Sequence, residues 1–394
     1  MKNADQSKNG VLLLVAGAKG AIGSTLAAAL QVLQKNPELV TPYLTTADKF
    51  PDLGGPGQME MAGWDPASVS FPEALERCGV LEKAIWQPYA AELENIELKA
   101  PPDAGRDFKS QVAHLKADME SFAARYADRV PVLINLLPAG ASHDLDQYAT
   151  LQDMYEYLRD VPLPDIAYAV AAVEAGIAVV NFTPNHIEIP AVLDAAGRFG
   201  VPVCGKDGKT GQTYLKVVLA SALRARSLHV NGWYSLNILG NADGENLMDP
   251  DHSACKLDNK TGVLEEVLGY APGAARWGKS AHQVRIDYYP PRGDAKEAWD
   301  VIDFEGIFGL PMSLRVNLQG RDSILAAPMV MDLARWMAAL RLSGRAGAVP
   351  ELAFYFKKPA GPGAPPGFAD QVADLEKLEK ACRPAAGSTP ETKD

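Results

Sequence analysis

Residues 239–262, "LGNADGENLMDPDHSACKLDNKTG", set Asn241, Asp243, Asn246 and Asp249 against Gly240 and Gly244, then place Lys256 and Lys260 four apart. Two lysines at that spacing share one helix face, which taken alone is more often a solvated surface than a site for an anion. The Asn-Ala-Asp-Gly run reads as a turn, because Asn and Gly tolerate positive φ. A second pattern with chemical content is "GAKGAIG", with glycines at 17, 20 and 23 after a continuous apolar run, Val11 to Val15. A glycine turn that opens a helix presents unpaired N–H groups and a partial positive charge, which suits a dinucleotide pyrophosphate. The acid that would hold the adenosine ribose is expected about 20 residues further on. Asp48 is the near candidate, and it is poorly placed.

The elements that must position these residues follow from periodicity. Ile22, Leu26, Leu30 and Leu33 recur at helical spacing after the glycine turn, giving strand, turn and helix. "VPVLINLLP", "IAVVNFTP" and "VPVCGKD" read as strands, with "DIAYAVAAVEAG", "IPAVLDAAGRFG" and "TYLKVVLASALRAR" as the helices between and after them. That alternation predicts an α/β, doubly wound parallel sheet. After about residue 225 the rhythm changes. "SLHVNGWYSLNILG", "HQVRIDYYP", "WDVIDFEGIF" and "MSLRVNLQG" read as a largely antiparallel sheet. "SILAAPMVMDLARWMAALRLSG" returns to helix, and "ELAFYFKKP" reads as one more short strand. The tail from Pro384 has the composition of a disordered segment.

Bulk composition narrows the function classes. The 394 residues are 47% hydrophobic and 22% charged, with a net charge of -11. Such a chain has room for two or three domains, and its charge argues against nucleic acid or an anionic membrane as partner. An anionic small molecule is not excluded, because local lysines outweigh a distant net charge. Cys78, Cys204, Cys255 and Cys382 are scattered, which fits a reduced, cytoplasmic setting and offers no thiolate metal site. No metal-ligand spacing is found among the six histidines, and no long uncharged apolar run predicts a membrane span.

"GKDGKTGQT" (205–213), "SLNILGNADGENL" (235–247) and the lysine pair that follows it resemble the myo-inositol-1-phosphate synthase family. Further echoes run in order: "GWD" (63–65), "PRGDAKEAWD" (291–300), "RDSILAAP" (321–328) and "LAFYFKKP" (352–359). The resemblance implies an enzyme that cyclises D-glucose 6-phosphate to 1D-myo-inositol 3-phosphate by oxidation at C5, an intramolecular aldol step and re-reduction, with NAD regenerated in each turnover. It implies Lys256, Lys260, Lys296 and Lys357 as catalytic. Lys256 would carry the proton at the C5 oxygen, and the others would bind phosphate and oxyanions. Thr210, Gln212, Thr213, Asn237 and Asn241 would bind substrate and phosphate. Gly17, Lys19, Gly20, Ala21, Ile22, Gly23 and Asp65 would hold the cofactor, Asp65 at the adenosine ribose. Asn135, Thr183, Asp207, Asp243, Gly293, Asp294, Asp322 and Ser323 complete that implied set. No bound metal belongs to it, although some microbial members of the family use a loosely held mono- or divalent cation.

The sequence departs from the family pattern in the glycine loop, where Lys19, Ala21 and Ile22 stand. It departs again at Phe182, where a small residue is usual, and at Tyr214, where a lysine is usual. The expected organisation is a Rossmann-type NAD domain, 10–213 plus 323–394, with residues 214–322 inserted as a catalytic and tetramerisation domain of a homotetramer. Two other readings stay in view: an NAD(P)-dependent dehydrogenase of a sugar phosphate or related polar substrate, and a non-catalytic NAD-binding scaffold. A retained set of four lysines favours the cyclase over both.

Overall fold

Five apolar residues in succession fit a strand covered on both faces, and Gly10–Ala16 forms β1 inside a seven-stranded sheet. The structure is a computed structural model that describes residues 10–53, 58–249 and 262–382. Joining β1 are β2 (Met59–Trp64), β3 (Glu97–Lys99), β4 (Arg129–Asn135), β5 (Ala178–Asn181) and β6 (Pro202–Cys204). All pairings in this sheet are parallel. Alternate side chains of a strand point to opposite faces, and β1 splits accordingly. Val11, Leu13 and Val15 pack with helices Ala21–Lys35 and Asp322–Leu342, while Leu12 and Leu14 pack with helix Phe108–Arg125 and helix Pro164–Glu174. The α/β doubly wound class is therefore present. No element is read from the pattern between residues 36 and 129, yet that stretch holds β2, β3, the capped helix Phe71–Cys78 and helix Phe108–Arg125.

A second sheet is formed by β7 (His229–Leu239), β8 (His282–Tyr288), β9 (Ala295–Glu305) and β10 (Pro311–Arg321), in the order β10–β9–β7–β8. It is mixed. β9 runs antiparallel to β7 and to β10, but β8 is parallel to β7. A parallel neighbour needs a crossover connection, and helical residues 262–268 lie in that connection. Val263, Leu264, Val267 and Leu268 bury against Trp233, Ile302 and helix Gln212–Ala225 in a core of their own.

Helix Asp322–Leu342 then returns to the first sheet. By length and composition it could cross a membrane, but 72% of its most apolar window is buried inside the protein, as a central core helix would be. β11 (Gly347–Ala348) pairs with β6 at the sheet edge. The strand expected over "ELAFYFKKP" is instead the 3-10 helix Pro350–Phe354. Pro350 presets the first helical turn and cannot donate to a ladder.

Candidate active site

Because β1, β2, β4, β5 and β6 are parallel neighbours, the segments that follow them meet at one carboxyl edge, where open parallel sheets take ligands. Two of these segments are tied directly: Asp207 N–H donates to the Thr183 carbonyl (2.8 Å) and Gly208 N–H to the Phe182 carbonyl (3.2 Å). The Phe182 ring covers Gly208 so closely that a Cβ there would lie 2.1 Å from it, so only glycine fits. Residues 355–357 close the other side, with Lys209 N–H on the Tyr355 carbonyl and Lys357 N–H on the Asp207 carbonyl, both 2.8 Å.

This backbone clamp delivers the first ion pair. Lys357 Nζ lies 2.5 Å from Asp207 Oδ1, with side chains only 8% and 5% exposed. Lys358, its neighbour, points outward to Glu266. The second pair joins β9 to the start of helix Asp322–Leu342: Lys296 lies 2.8 Å from Asp322 Oδ2, and Thr210 Oγ1 donates to Asp322 Oδ1 at 3.0 Å. Asp322 begins helix Asp322–Leu342, where a carboxylate is favoured by the helix dipole. Gly211, Gln212, Lys296 and Asp322 line a small cavity between these elements.

Around the pairs lie the remaining expected residues. Helix Gln212–Ala225 starts with no side-chain cap, so its first turn, with Gln212 and Thr213, keeps N–H groups for an anion. Asn237 on β7 donates to Gln212 Oε1. Gly293, at φ +54, turns the chain into Asp294, whose Oδ1 accepts from Ser323 Oγ (3.2 Å) and Asn241 Nδ2 (3.3 Å). Asp294 Oδ2 is buried with no partner among the described residues. Burial pushes this carboxyl above its usual range, with Asp322 adding to the effect, so Oδ2 would suit a cation, a ligand N–H or a proton of its own. Asp243 lies in the short helix Ala242–Asn246, but its side chain is outside the described residues. Lys256 and Lys260 lie outside them altogether.

The glycine turn forms a second group. Gly17 has φ +84, and a Cβ on it would sit 2.9 Å from the Leu136 carbonyl; no other residue fits both demands. Gly20 caps helix Ala21–Lys35 without a side-chain bond, so Ala21, Ile22 and Gly23 form an open first turn. Asp65, directly after β2, accepts Lys19 N–H on Oδ2 (2.7 Å) and Ala67 N–H on Oδ1 (2.8 Å). Lys19 Nζ binds the Ala67 carbonyl. Asp48 ends a short helix and pairs with Lys49 instead.

Asn135 and Thr183 belong to a buried polar cluster that sequence reasoning missed. Asn135 Nδ2 and Asn185 Nδ2 donate to Asp165 Oδ2 at 2.5 and 3.0 Å, and Thr183 Oγ1 donates to Asn181 Oδ1 at 2.7 Å. Burial raises the Asp165 carboxyl, against donors from Asn185, Asn135 and Thr183 that lower it. Also missed were Asp300, Lys209 and Lys216, all buried. No spacing pattern singles them out, since their partners are distant in sequence. Desolvation lowers Lys209 to about 7 and Lys216 to about 8. Among the described residues no cluster of His, Cys, Asp and Glu could hold a metal ion.

Fold and site together define a class: an α/β protein with a dinucleotide-type glycine turn and a lysine–carboxylate site where a parallel sheet meets a mixed one. Comparison with known proteins agrees. The sequence model described as "Myo-inositol-1-phosphate synthase" matches residues 211–323, the stretch carrying Gln212, Lys296 and Asp322. Inositol-3-phosphate synthase 1 of Bacteroides thetaiotaomicron is 39% identical over 259 residues, covering 63% of this chain and 59% of that protein. The protein of the same name from Macaca fascicularis is 29% identical over 368 residues, 83% of this chain and 65% of its own length. The chain thus spans about three fifths of these two relatives. The crystal structure of inositol-3-phosphate synthase from Caenorhabditis elegans superposes with a TM-score of 0.81 at 21% identity, over 96% of this chain and 87% of that one; at that identity the likeness speaks for the fold. Over residues 211–323 the chain is similar to the myo-inositol-1-phosphate synthase family.

Proposed function

We propose that this protein is an inositol-3-phosphate synthase, an isomerase that cyclises D-glucose 6-phosphate to 1D-myo-inositol 3-phosphate with NAD used catalytically. The observation that carries the reading is the pair of lysine–carboxylate contacts, Lys357–Asp207 and Lys296–Asp322, flanking the turn 207–213. A phosphate dianion, an enolate and an aldol alkoxide each need preorganised positive charge or donors in a site shielded from water. A net dehydrogenase has no aldol step to stabilise.

The residues at the glycine turn fit a dinucleotide: the helix N-terminus is uncapped, and Gly17 is backbone that no side chain obstructs. Gly17 to Gly23 would hold the pyrophosphate. Asp65, already engaged by two backbone N–H groups, would turn its remaining lone pairs to the ribose. When bound, NAD supplies a reversible hydride acceptor for C5. Lys296 and the first turn of helix Gln212–Ala225 would bind phosphate, with Thr210 fixing Asp322 and so the Lys296 ammonium. Lys357, held by Asp207, would stabilise an oxyanion. Lys256 and Lys260 are assigned proton transfer and oxyanion binding on the family resemblance. Asp294 Oδ2 is the acceptor open to a cation, should the enzyme use one. The proposal extends to a homotetramer assembled through the second sheet, acting in the cytoplasm.

The test is incubation of purified protein with glucose 6-phosphate and NAD, following absorbance of NADH and separating inositol phosphate by chromatography. Inositol phosphate without net NADH is expected. Stoichiometric NADH and no cyclised product would assign the dehydrogenase instead.

A further inference from the structure

Beneath the substrate turn lies a buried chain of hydrogen bonds that the proposed mechanism does not use. Asp300 on β9 accepts from Trp233 Nε1 (2.7 Å) and Ser235 Oγ (2.5 Å) on Oδ1, and from Gln212 Nε2 (2.9 Å) on Oδ2. Gln212 Oε1 in turn accepts from Asn237 Nδ2. All five residues are 6% exposed or less. Lys216, also buried, supplies a nearby positive charge: its Nζ is 2.8 Å from His282 Nε2 and 5.8 Å from the Trp233 ring centre.

The direction of this chain is forced. A carboxylate only accepts, so Gln212 must turn its NH2 to Asp300 and its carbonyl to Asn237. Asn237 must then answer with its own NH2, which leaves its carbonyl oxygen, Oδ1, buried and unpartnered among the described residues. An unpaired buried acceptor is costly to keep unless a donor meets it.

We propose that Asp300 is a positioning residue of this site, fixing the hydrogen-bond direction of Gln212 and Asn237 so that Asn237 Oδ1 accepts a hydroxyl of the substrate. The inference rests on the functional reading above, and deepens it by assigning the polarity of the sugar-binding face. It also specifies what a single isosteric change does. In Asp300→Asn, Trp233 Nε1–H can only donate, so it holds the Asn oxygen and turns the new NH2 toward Gln212. Gln212 must then flip, Asn237 must flip after it, and the site presents N–H where it had presented an acceptor.

Neutron diffraction from deuterated crystals of the unliganded protein and of Asp300→Asn distinguishes ND2 from O at both amides. The expected result is the orientation above in the unaltered protein and its reversal in the variant. Calorimetry adds the ligand: glucose 6-phosphate should bind Asp300→Asn about tenfold more weakly, with inorganic phosphate unchanged. Asp300→Asn/Asn237→Asp moves the carboxylate along the chain, restores an acceptor, and should recover most of the lost affinity. Asn237→Asp alone sets acceptor against acceptor and should bind glucose 6-phosphate poorly. Unflipped amides in the variant, equal loss of both ligands alongside a lowered melting temperature, or no recovery in the double variant would each overturn the proposal. If Asp300→Asn does not fold, the amide orientation in the unaltered crystals still decides the direction of the chain. An unaltered protein that binds phosphate but not glucose 6-phosphate sinks the functional reading, while the neutron result still judges Asp300.

Discussion

Lys357 packs against the turn 207–213 and Lys209 lies within it, both nearly excluded from water, and they have opposite surroundings. Lys357 meets the carboxylate of Asp207. Among the described residues, Lys209 meets neutral acceptors, the Ala353 carbonyl (2.9 Å) and Gln371 Oε1 (2.8 Å). Burial penalises a charged lysine in both places, but only one has a counter-charge to offset it. Lys209 is therefore lowered to about 7 by desolvation, and its contacts clamp the turn to helix Phe368–Cys382. The comparison separates a lysine kept for charge from one kept for anchorage, a distinction that depth alone does not make.

The largest expected effect comes from removing the paired lysine. Lys357→Ala should cut inositol phosphate formation on the order of 10³-fold and lower stability by about 3–5 kcal/mol, because the buried Asp207 carboxylate loses its lysine counter-charge. Lys357→Met/Asp207→Asn should recover most of the stability in a denaturant titration and none of the activity. Recovery of activity would reduce the pair to a structural one.

Lys209 should show itself in pH dependence instead. Its folded pKa, about 7, lies below the value near 10.4 of an unfolded lysine. Between those values the unfolded chain binds the extra proton, so this group makes stability rise with pH from about 7 upward; below 7 both states are protonated and the slope vanishes. The contribution approaches about 1.4 kcal/mol per pH unit. Urea unfolding from pH 6 to 9 should show that rise in the unaltered protein and a flatter curve in Lys209→Met. Lys216, lowered to about 8, adds its own rise one unit higher and remains in the variant. An unchanged curve would mean Lys209 is not desolvated as its contacts imply.

These partnerships explain what the sequence could disclose. The first strand, glycine turn and helix were legible because their determinants are local: an apolar run, three glycines and a periodic helix within residues 11–33. The site residues became legible as a set only through resemblance, since Asp207 and Lys357 are 150 residues apart and Thr210 and Asp322 are 112 apart. No periodicity encodes such a contact. The same reason hid Asp300 and the Asp165 cluster, whose roles exist only once neighbouring strands are aligned. The parallel β7–β8 pair was missed because the described helical residues of its crossover, 262–268, are too few to show their period, and the strand expected near Lys357 was misread because Pro350 outweighs an apolar pattern.

Asp65 carries the comparison to the glycine turn, where a carboxylate is held by backbone N–H groups rather than by a lysine. Asp65→Asn keeps the shape but can no longer accept on both sides, so either Lys19 N–H or Ala67 N–H loses its partner. NAD affinity, read by calorimetry, should fall about tenfold, and inorganic phosphate binding at the Lys296 side should not change. Loss of both together would show that the two groups of residues are one cooperative unit.

The smallest effect should come from Thr210, whose hydroxyl donates to Asp322 Oδ1 while Lys296 holds Oδ2. Thr210→Val preserves volume and removes one hydrogen bond to a charged acceptor, worth about 1.5–3 kcal/mol where water is excluded and less where Asp322 stays part-exposed. Because Lys296 still holds the carboxylate, the site should survive with its ammonium less well fixed. KM for glucose 6-phosphate should rise about fivefold with kcat within about twofold, and Thr210→Ser should restore it. A fall in kcat instead, with KM unchanged, would mean that Asp322 steers Lys296 in the transition state rather than in the bound substrate, and would move this pair from phosphate binding to the chemistry itself.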